Sequence, residues 1–355
     1  MYPFRGDCFA VENGWYVASF AKDLTHSLQA KWILKKPVAL YRDSTGRPIA
    51  LHGLCPHRHF PLGESQLRSD EVVCGYHGIR FDGHGTCTHI PGQQDIPESF
   101  NIRTYPVVEH GMWIWIWMGD PDKADPSLLP DLEEIGYCGD SMIARPFYAL
   151  EVQGRYQLLN DNLFDLSHLA YLHGTSIGTT DYADTIEELT EGPGYIRSTR
   201  RVLNSAPPPT FDFEAETIDR ISGMNFYYPG LHAGFDESLL PEGHPEAGKV
   251  LRKSRVFHAV TPSTEDTCYY WFGMAQPHGE GLDEAFVYLK PVVEEDVFAT
   301  AEIEKALQRS GGRIQDHSKM SDRNETRGRR LLQRLMDEEA AAKRDEDDAQ
   351  PLTVR

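Results

Sequence analysis

The chain has 355 residues, 40% hydrophobic and 25% charged, enough to bury a sizeable core and to build about two domains. A formal net charge of −19 excludes the basic footprint that phosphate backbones demand, so no nucleic-acid partner is expected. No signal-peptide core follows Met1, the apolar run Gly111–Gly119 is too short to span a bilayer, and six scattered cysteines suit reduced thiols; the expectation is a cytoplasmic protein without membrane contact. Residues from about 14 to 120 alternate apolar and polar in short runs punctuated by Gly, Asp and Pro, which predicts several short antiparallel strands. Asp120–Glu134, rich in Pro and Asp, reads as a surface linker. Arg155–Gly174 places Leu159, Leu163, Leu166 and Ala170 at steps of four, three and four, a helical pattern closed by Gly174. Strand-like runs return between 195 and 277, followed by a helical stretch broken at Pro291 and a second beginning near Ser321. The fold class expected is α+β: a small all-β domain at 1–125, a larger domain with an antiparallel sheet and flanking helices at 126–340, and a charged, disordered tail at 341–355.

Two loops of the β domain carry chemistry. Cys55-Pro56-His57 and Cys74-Gly75-Tyr76-His77 put one thiol and one imidazole on each loop. Tetrahedral zinc takes Cys₂His₂ sets, but zinc fingers group two cysteines together and two histidines together. The mixed pairs are what a Rieske [2Fe–2S] cluster needs, with both cysteines on one iron and both histidines on the other. His59 competes with His57 for the second position, and the Cys-x-His spacing favours His57. Rieske proteins of respiratory complexes carry an extra cysteine in each loop; Phe60 and Tyr76 stand there instead, so no disulfide clamp can form.

The helical stretch contains Asn162, Asp165 and His168 at i, i+3 and i+6, near one helix face, with His173 five residues further on. Five residues are about 140° around a regular helix, so both histidines reach one metal only if the helix ends or loosens between them. Two histidines alone are weak evidence. A Rieske centre followed by a large second domain points instead to a redox enzyme, and two His plus one carboxylate is the site of oxygen-activating non-haem Fe(II). No Gly-x-Gly-x-x-Gly follows a strand, so hydride must be taken up by another protein.

With both motifs present, the chain resembles the oxygenase component of the Rieske non-haem iron oxygenases over nearly its whole length, and most resembles the vanillate O-demethylase type. Supporting segments include GWYVA (Gly14–Ala18), HIPGQ (His89–Gln93), HGTSIG (His173–Gly178) and YYWFGMA (Tyr269–Ala275). The resemblance implies a Rieske [2Fe–2S] cluster on Cys55, His57, Cys74 and His77, and mononuclear Fe(II) on His168, His173 and an aspartate at the start of the late helix. Asp296 is the expected third ligand, with Glu294 and Glu295 as neighbouring alternatives. It further implies a separate NAD(P)H-dependent reductase (flavin and iron–sulfur) or a ferredoxin, O₂ as co-substrate, and a head-to-tail homotrimer in which one subunit's cluster serves the next subunit's iron. Asp165 would then bridge, accepting hydrogen bonds from His168 and from His77 of the neighbour, while Asn162 stays near the iron without ligating it. The implied activity is monooxygenation of a small aromatic compound, with O-demethylation of a methoxylated aromatic acid foremost; N-demethylation, aryl-methyl hydroxylation and ring hydroxylation or dioxygenation are the alternatives. Tyr227, Tyr228, His232 and His258 are candidates for the substrate wall.

Overall fold

The computed structural model describes residues 2–6, 8–311 and 316–349, with side chains described to 345. They divide into two compact units: Asn13–Leu129 with Thr261–Glu265 make one, and the rest of the described chain makes the other. The expected division at 125 therefore misses two excursions. Residues before 13 join the second unit because their polar groups are satisfied there: the Glu12 amide donates to Glu339 and Arg5 bonds Gln333 and Asp337. Thr261–Glu265 joins the first because Leu34 and Lys35 amides donate to Pro262 and Ser263 at 3.0 and 2.8 Å.

The first unit is built from β1 (Trp15–Phe20), β2 (Gln29–Ile33), β3 (Lys36–Arg42), β4 (Pro48–His52), β5 (Gln66–Arg68), β6 (Glu71–Val73), β7 (Arg80–Phe81), β8 (Cys87–His89), β9 (Val107–His110) and β10 (Trp113–Trp117). They form three antiparallel sheets, ordered β1-β10-β9, β2-β3-β4 and β5-β6-β7-β8. The Trp113–Trp117 run is buried at every position, which explains its unbroken apolarity. Tyr41, Leu51, Leu62, Val72 and Phe81 form a core that also takes in Cys55 and Cys74. The Asp120–Glu134 linker is irregular, with two single turns capped by Asp120 and Asp125.

The second unit centres on a seven-stranded antiparallel sheet of order β11-β17-β16-β15-β14-β13-β12. Its strands are β11 (Met142–Val152), β12 (Glu188–Gly192), β13 (Tyr195–Ser205), β14 (Ile218–Tyr227), β15 (Leu231–Leu239), β16 (Val250–Pro262) and β17 (Cys268–Pro277); its helices are α1 (Tyr156–Phe164), α2 (Thr180–Asp184), α3 (Leu282–Arg309) and α4 (Arg323–Ala349). Two differences from expectation have local causes. First, α3 runs through Pro291 without breaking: Val287, Lys290 and Pro291 are exposed, so water can take the carbonyl that proline leaves without a donor. Second, the charged segment from 341 is helical as far as Ala349, and 350–355 lie outside the described residues. Ala340–Ala342 prolong a helix already docked by its apolar face, and Lys343 pairs with Glu12 at 3.1 Å. The α1 start is pinned to α3 by Arg155, which bonds both oxygens of the buried Glu304. No described helix is long and apolar enough to cross a membrane.

Candidate metal centres and the cavity beside them

The β6–β7 loop is a hairpin connection and the β4–β5 loop passes between two sheets, pinched by a Leu54–Pro61 bridge; each is closed by an amide returning to its cysteine carbonyl, His59 to Cys55 and Gly78 to Cys74, at 2.8 and 2.9 Å. The turns face one another. Cys55 and Cys74 are buried, whereas His57 and His77 are exposed with their Nδ1 atoms 3.1 Å apart. Burial pushes the Cys55 thiol up to about 11, opposed by amide hydrogen bonds from His57 and Arg58 onto its sulfur. Such amides are the donors that stabilise a thiolate ligand. Tyr76 stacks on the His77 ring with centroids 3.8 Å apart, and Phe60 lies beside Tyr76 at 6.0 Å. All six cysteines are free thiols, so the two loops are held without a disulfide.

The second motif breaks its helix where two-histidine ligation requires. α1 stops at Phe164, and Asp165 is extended (φ −102°, ψ 93°). Its carboxylate accepts from the Ser167 amide at 2.9 Å and starts a short 3₁₀ turn, Leu166–Ala170, which carries His168. The following turn brings His173 alongside, with ring centroids 5.0 Å apart. Gly178 is required there, since a β-carbon would stand 1.7 Å from the Leu169 carbonyl oxygen.

Across from both rings stands Asp296, buried in mid-α3 rather than at a helix start. Its Oδ1 lies 3.0 Å from His173 Nε2 and 3.5 Å from His168 Nε2. Among the described residues this is the group whose donor atoms all fall within 4.8 Å. Ligands about 2.1 Å from one ion at right angles stand about 3.0 Å apart, so the spacing suits three adjacent positions on a metal. Burial alone would raise the Asp296 carboxyl, but His168 and His173 hold it well below the usual carboxylate range.

Glu295, one residue earlier, accepts from His173 Nδ1 at 2.6 Å and so orients the ring from behind. Sequence reasoning placed it among the alternatives to Asp296 and missed this role; its signal was its place beside Asp296. The expected hydrogen bond from His168 to the Asp165 carboxylate is corrected. His168 Nδ1 donates instead to the Asp165 main-chain oxygen at 2.6 Å, because the carboxylate is taken by Ser167 and by Lys319 at 3.0 Å. Asn162 does not line the cavity, and its Oδ1 is buried without a hydrogen-bond partner.

A cavity of about 110 Å³ opens onto His168, His173 and Asp296. Leu289, Val292, Met224, Phe235 and Phe272 make its wall predominantly apolar. Of the wall candidates, His258 lines it: the ring bonds the Tyr270 hydroxyl through Nδ1, and burial lowers its pKa to about 4, leaving a neutral imidazole at neutral pH. Tyr227, Tyr228 and His232 do not line it. Tyr227 turns to Glu134, Tyr228 packs near Gly194, and His232 is buried between Phe164 and Phe226 with Asn160 on its Nε2.

Two family models match the regions that carry these residues. The Rieske [2Fe-2S] domain model matches residues 14–106, and the vanillate O-demethylase oxygenase C-terminal domain model matches 152–338, more than half of the chain. The chain belongs to the Rieske non-haem iron oxygenases. The oxygenase is 34% identical over 344 residues (92% of this chain, 97% of the relative) to the toluene-4-sulfonate monooxygenase system iron–sulfur subunit of Comamonas testosteroni. It is 36% identical to the dicamba O-demethylase oxygenase component of Stenotrophomonas maltophilia, across 76% of this chain and 79% of the relative. The crystal structure of dicamba monooxygenase bound to dicamba superposes with a TM-score of 0.82 at 31% identity, covering 94% of this chain and all of that one. The same enzyme with non-haem iron and dicamba gives 0.77 at 30% identity over the same shares. The oxygenase is thus a monooxygenase of a multicomponent system that uses a Rieske cluster and mononuclear iron and takes electrons from a separate reductase or ferredoxin.

Proposed function

We propose that the oxygenase removes the methyl group of a methoxylated aromatic acid, releasing a phenol and formaldehyde. The observation that carries this is a ring-lined, largely apolar cavity opening directly onto His168, His173 and Asp296. The relatives' names support the substrate class: toluene-4-sulfonate and vanillate, with 3,6-dichlorosalicylic acid in one dicamba monooxygenase structure, are all aromatic acids.

In this reading Cys55, Cys74, His57 and His77 hold the cluster, and His168, His173 and Asp296 hold the iron. Iron held by His168, His173 and Asp296 would supply O₂ activation, with single electrons arriving through a cluster held by Cys55, His57, Cys74 and His77, so that one oxygen atom would enter the methyl C–H bond. The cavity wall excludes bulk water and holds the ring beside the two histidines. Glu295 keeps the His173 ring in place and favours its Nδ1–H tautomer, leaving Nε2 free to ligate. The hydroxylated methoxy group is a hemiacetal and collapses to phenol and formaldehyde. In balance, substrate, O₂, two electrons and two protons give phenol, formaldehyde and water.

The match to the toluene-4-sulfonate subunit, nearly full-length, favours a second reading, hydroxylation of an aryl methyl group to a benzylic alcohol. A panel of methoxylated and methylated aromatic acids with a reconstituted reductase separates the two. Stoichiometric formaldehyde with substrate-dependent O₂ uptake supports demethylation. A benzylic alcohol without formaldehyde supports the second reading, and O₂ uptake with no oxidised aromatic product overturns both.

A further inference from the structure

We propose that Arg252 anchors the anionic group of the substrate at the end of the cavity remote from the iron ligands. It would thereby select aromatic carboxylates or sulfonates whose charge lies across the ring from the carbon oxidised. The proposal rests on the aromatic-acid reading above and deepens it by placing the acid.

Strand β16 turns alternate residues into the cavity: Arg252, Ser254, Val256 and His258 all line it. His258 is at the metal end, where Asp296, His168 and His173 act on its charge. Arg252 lies six residues earlier, about 20 Å along the strand. The opposite wall provides a second ruler. Arg252 donates to the hydroxyl of Tyr288, which stands on α3 eight residues before Asp296, about 12 Å along the helix axis. A guanidinium reaching inward from there meets a benzene-sized ligand on the side away from the metal ligands. A charge ortho to the reacting group falls short of it.

The charges around the cavity single out this arginine. Arg220 also lines the cavity, but it holds both oxygens of Asp236 and the Ile177 carbonyl. Asp236 is thereby taken. Among the described residues, no carboxylate oxygen lies within 4.0 Å of the Arg252 guanidinium. Its Cζ lies over the Phe211 ring, 4.1 Å from the centroid, a cation–π contact that holds the head in the cavity, and one N–H goes to Tyr288 while a guanidinium carries five. A half-buried cation facing a largely apolar space, with no carboxylate oxygen of the described residues within 4.0 Å, is a costly arrangement that an incoming carboxylate or sulfonate relieves. The planar fork matches two oxygens of such a group in a bidentate pair.

The test measures ligand binding to the full chain by calorimetric titration, independent of turnover, for 4-methoxybenzoate, 2-methoxybenzoate and toluene-4-sulfonate, with neutral 4-methoxybenzamide as control. Wild type should bind the two para anions more tightly than 2-methoxybenzoate. In Arg252→Met the para anions should weaken by about 10- to 100-fold, the range of a lost charge-assisted hydrogen bond, while the amide is unchanged. Arg252→Lys, which keeps the charge and loses the fork, should weaken the anions by a smaller factor and serves if Arg252→Met fails to fold. Equal binding of the para anions by wild type and either variant overturns the anchor and leaves the demethylase reading standing. Anion binding that depends on Arg252 without any oxidation of bound ligand supports the anchor and overturns that reading. Binding of the neutral amide but of no anion by wild type overturns both the anchor and the aromatic-acid substrate.

Discussion

Three consecutive acids on α3 have three different fates, set by the 100° step of the helix. Glu294 is exposed and reaches the Tyr148 hydroxyl, Glu295 accepts from His173 Nδ1, and Asp296 is buried against both Nε2 atoms. Glu295→Gln keeps the shape and removes the charge behind His173. The mononuclear iron should bind about 10- to 100-fold more weakly, while the cluster on the other unit is unaffected. Iron analysis after chelator dialysis checks this: wild type should keep three irons per chain and the variant should fall toward two. Undiminished iron retention would remove Glu295 from the ligand-orienting role. That the motif residues would come together was legible because ligation chemistry dictates residue type and short-range spacing. Glu295 was not, because an acid beside a ligand looks the same in sequence whether it faces solvent or an imidazole.

The segment that carries His168 and His173 depends on how α1 ends, and α4 guards that end. Asn324 donates to the Phe164 carbonyl at 3.0 Å, and Arg329 grips Asp161. A β-carbon on Gly328 would stand 2.3 Å from the Phe164 ring. Replacing glycine by alanine inside an exposed helix ordinarily stabilises by up to about 1 kcal/mol. Here the sign should reverse: Gly328→Ala should destabilise by about 1–3 kcal/mol through overpacking, read as a lower urea midpoint. A higher midpoint would show that the ring yields without cost.

Close by, burial and then the charge of Asp161 raise the Glu325 carboxyl to about 8, with Arg329 opposing. A folded-state value above the unfolded one favours folding fully below the unfolded value, and that contribution disappears as pH rises through the folded value. Thermal stability of wild type should therefore fall more between about pH 5 and about pH 8 than that of Glu325→Gln. Parallel profiles would count against a half-buried, protonated Glu325. The helical period of α1 and α4 was readable in advance. The continuity of α3 through Pro291 was not, because it depends on which face of the helix meets water.

At the level of assembly, we propose the head-to-tail trimer that the resemblance implies, with the Asp165 carboxylate as the acceptor for His77 of the neighbour and its main-chain oxygen, rather than the carboxylate, as the link to His168. Light scattering should return three times the mass of the chain. Asp165→Asn is a discriminating variant, because asparagine caps the 3₁₀ turn as well as aspartate does and the main-chain oxygen that holds His168 is retained. Both metal centres should stay loaded while turnover drops sharply; normal turnover would end the relay idea. Loss of the charge also releases Lys319, which pairs with Asp165 at 3.0 Å. The boundary between units was legible only roughly. The first dozen residues and Thr261–Glu265 change sides through hydrogen bonds to partners more than 200 positions away.

The cofactor class of this oxygenase was legible in short motifs: two Cys–His loops, two histidines five residues apart and an acid-rich late helix, residue types that such cofactors accept. The α+β class followed as well, since strand and helix periods are local. The cavity and its charge were not legible. Arg252, Phe211, Tyr288 and the Arg220–Asp236 pair meet across β14, β15, β16, α3 and the β13–β14 loop, and no local period says which arginine finds a carboxylate and which is left facing the ring-lined space. Spacing specifies ligands along one segment, whereas substrate recognition depends on packing between segments far apart in the chain.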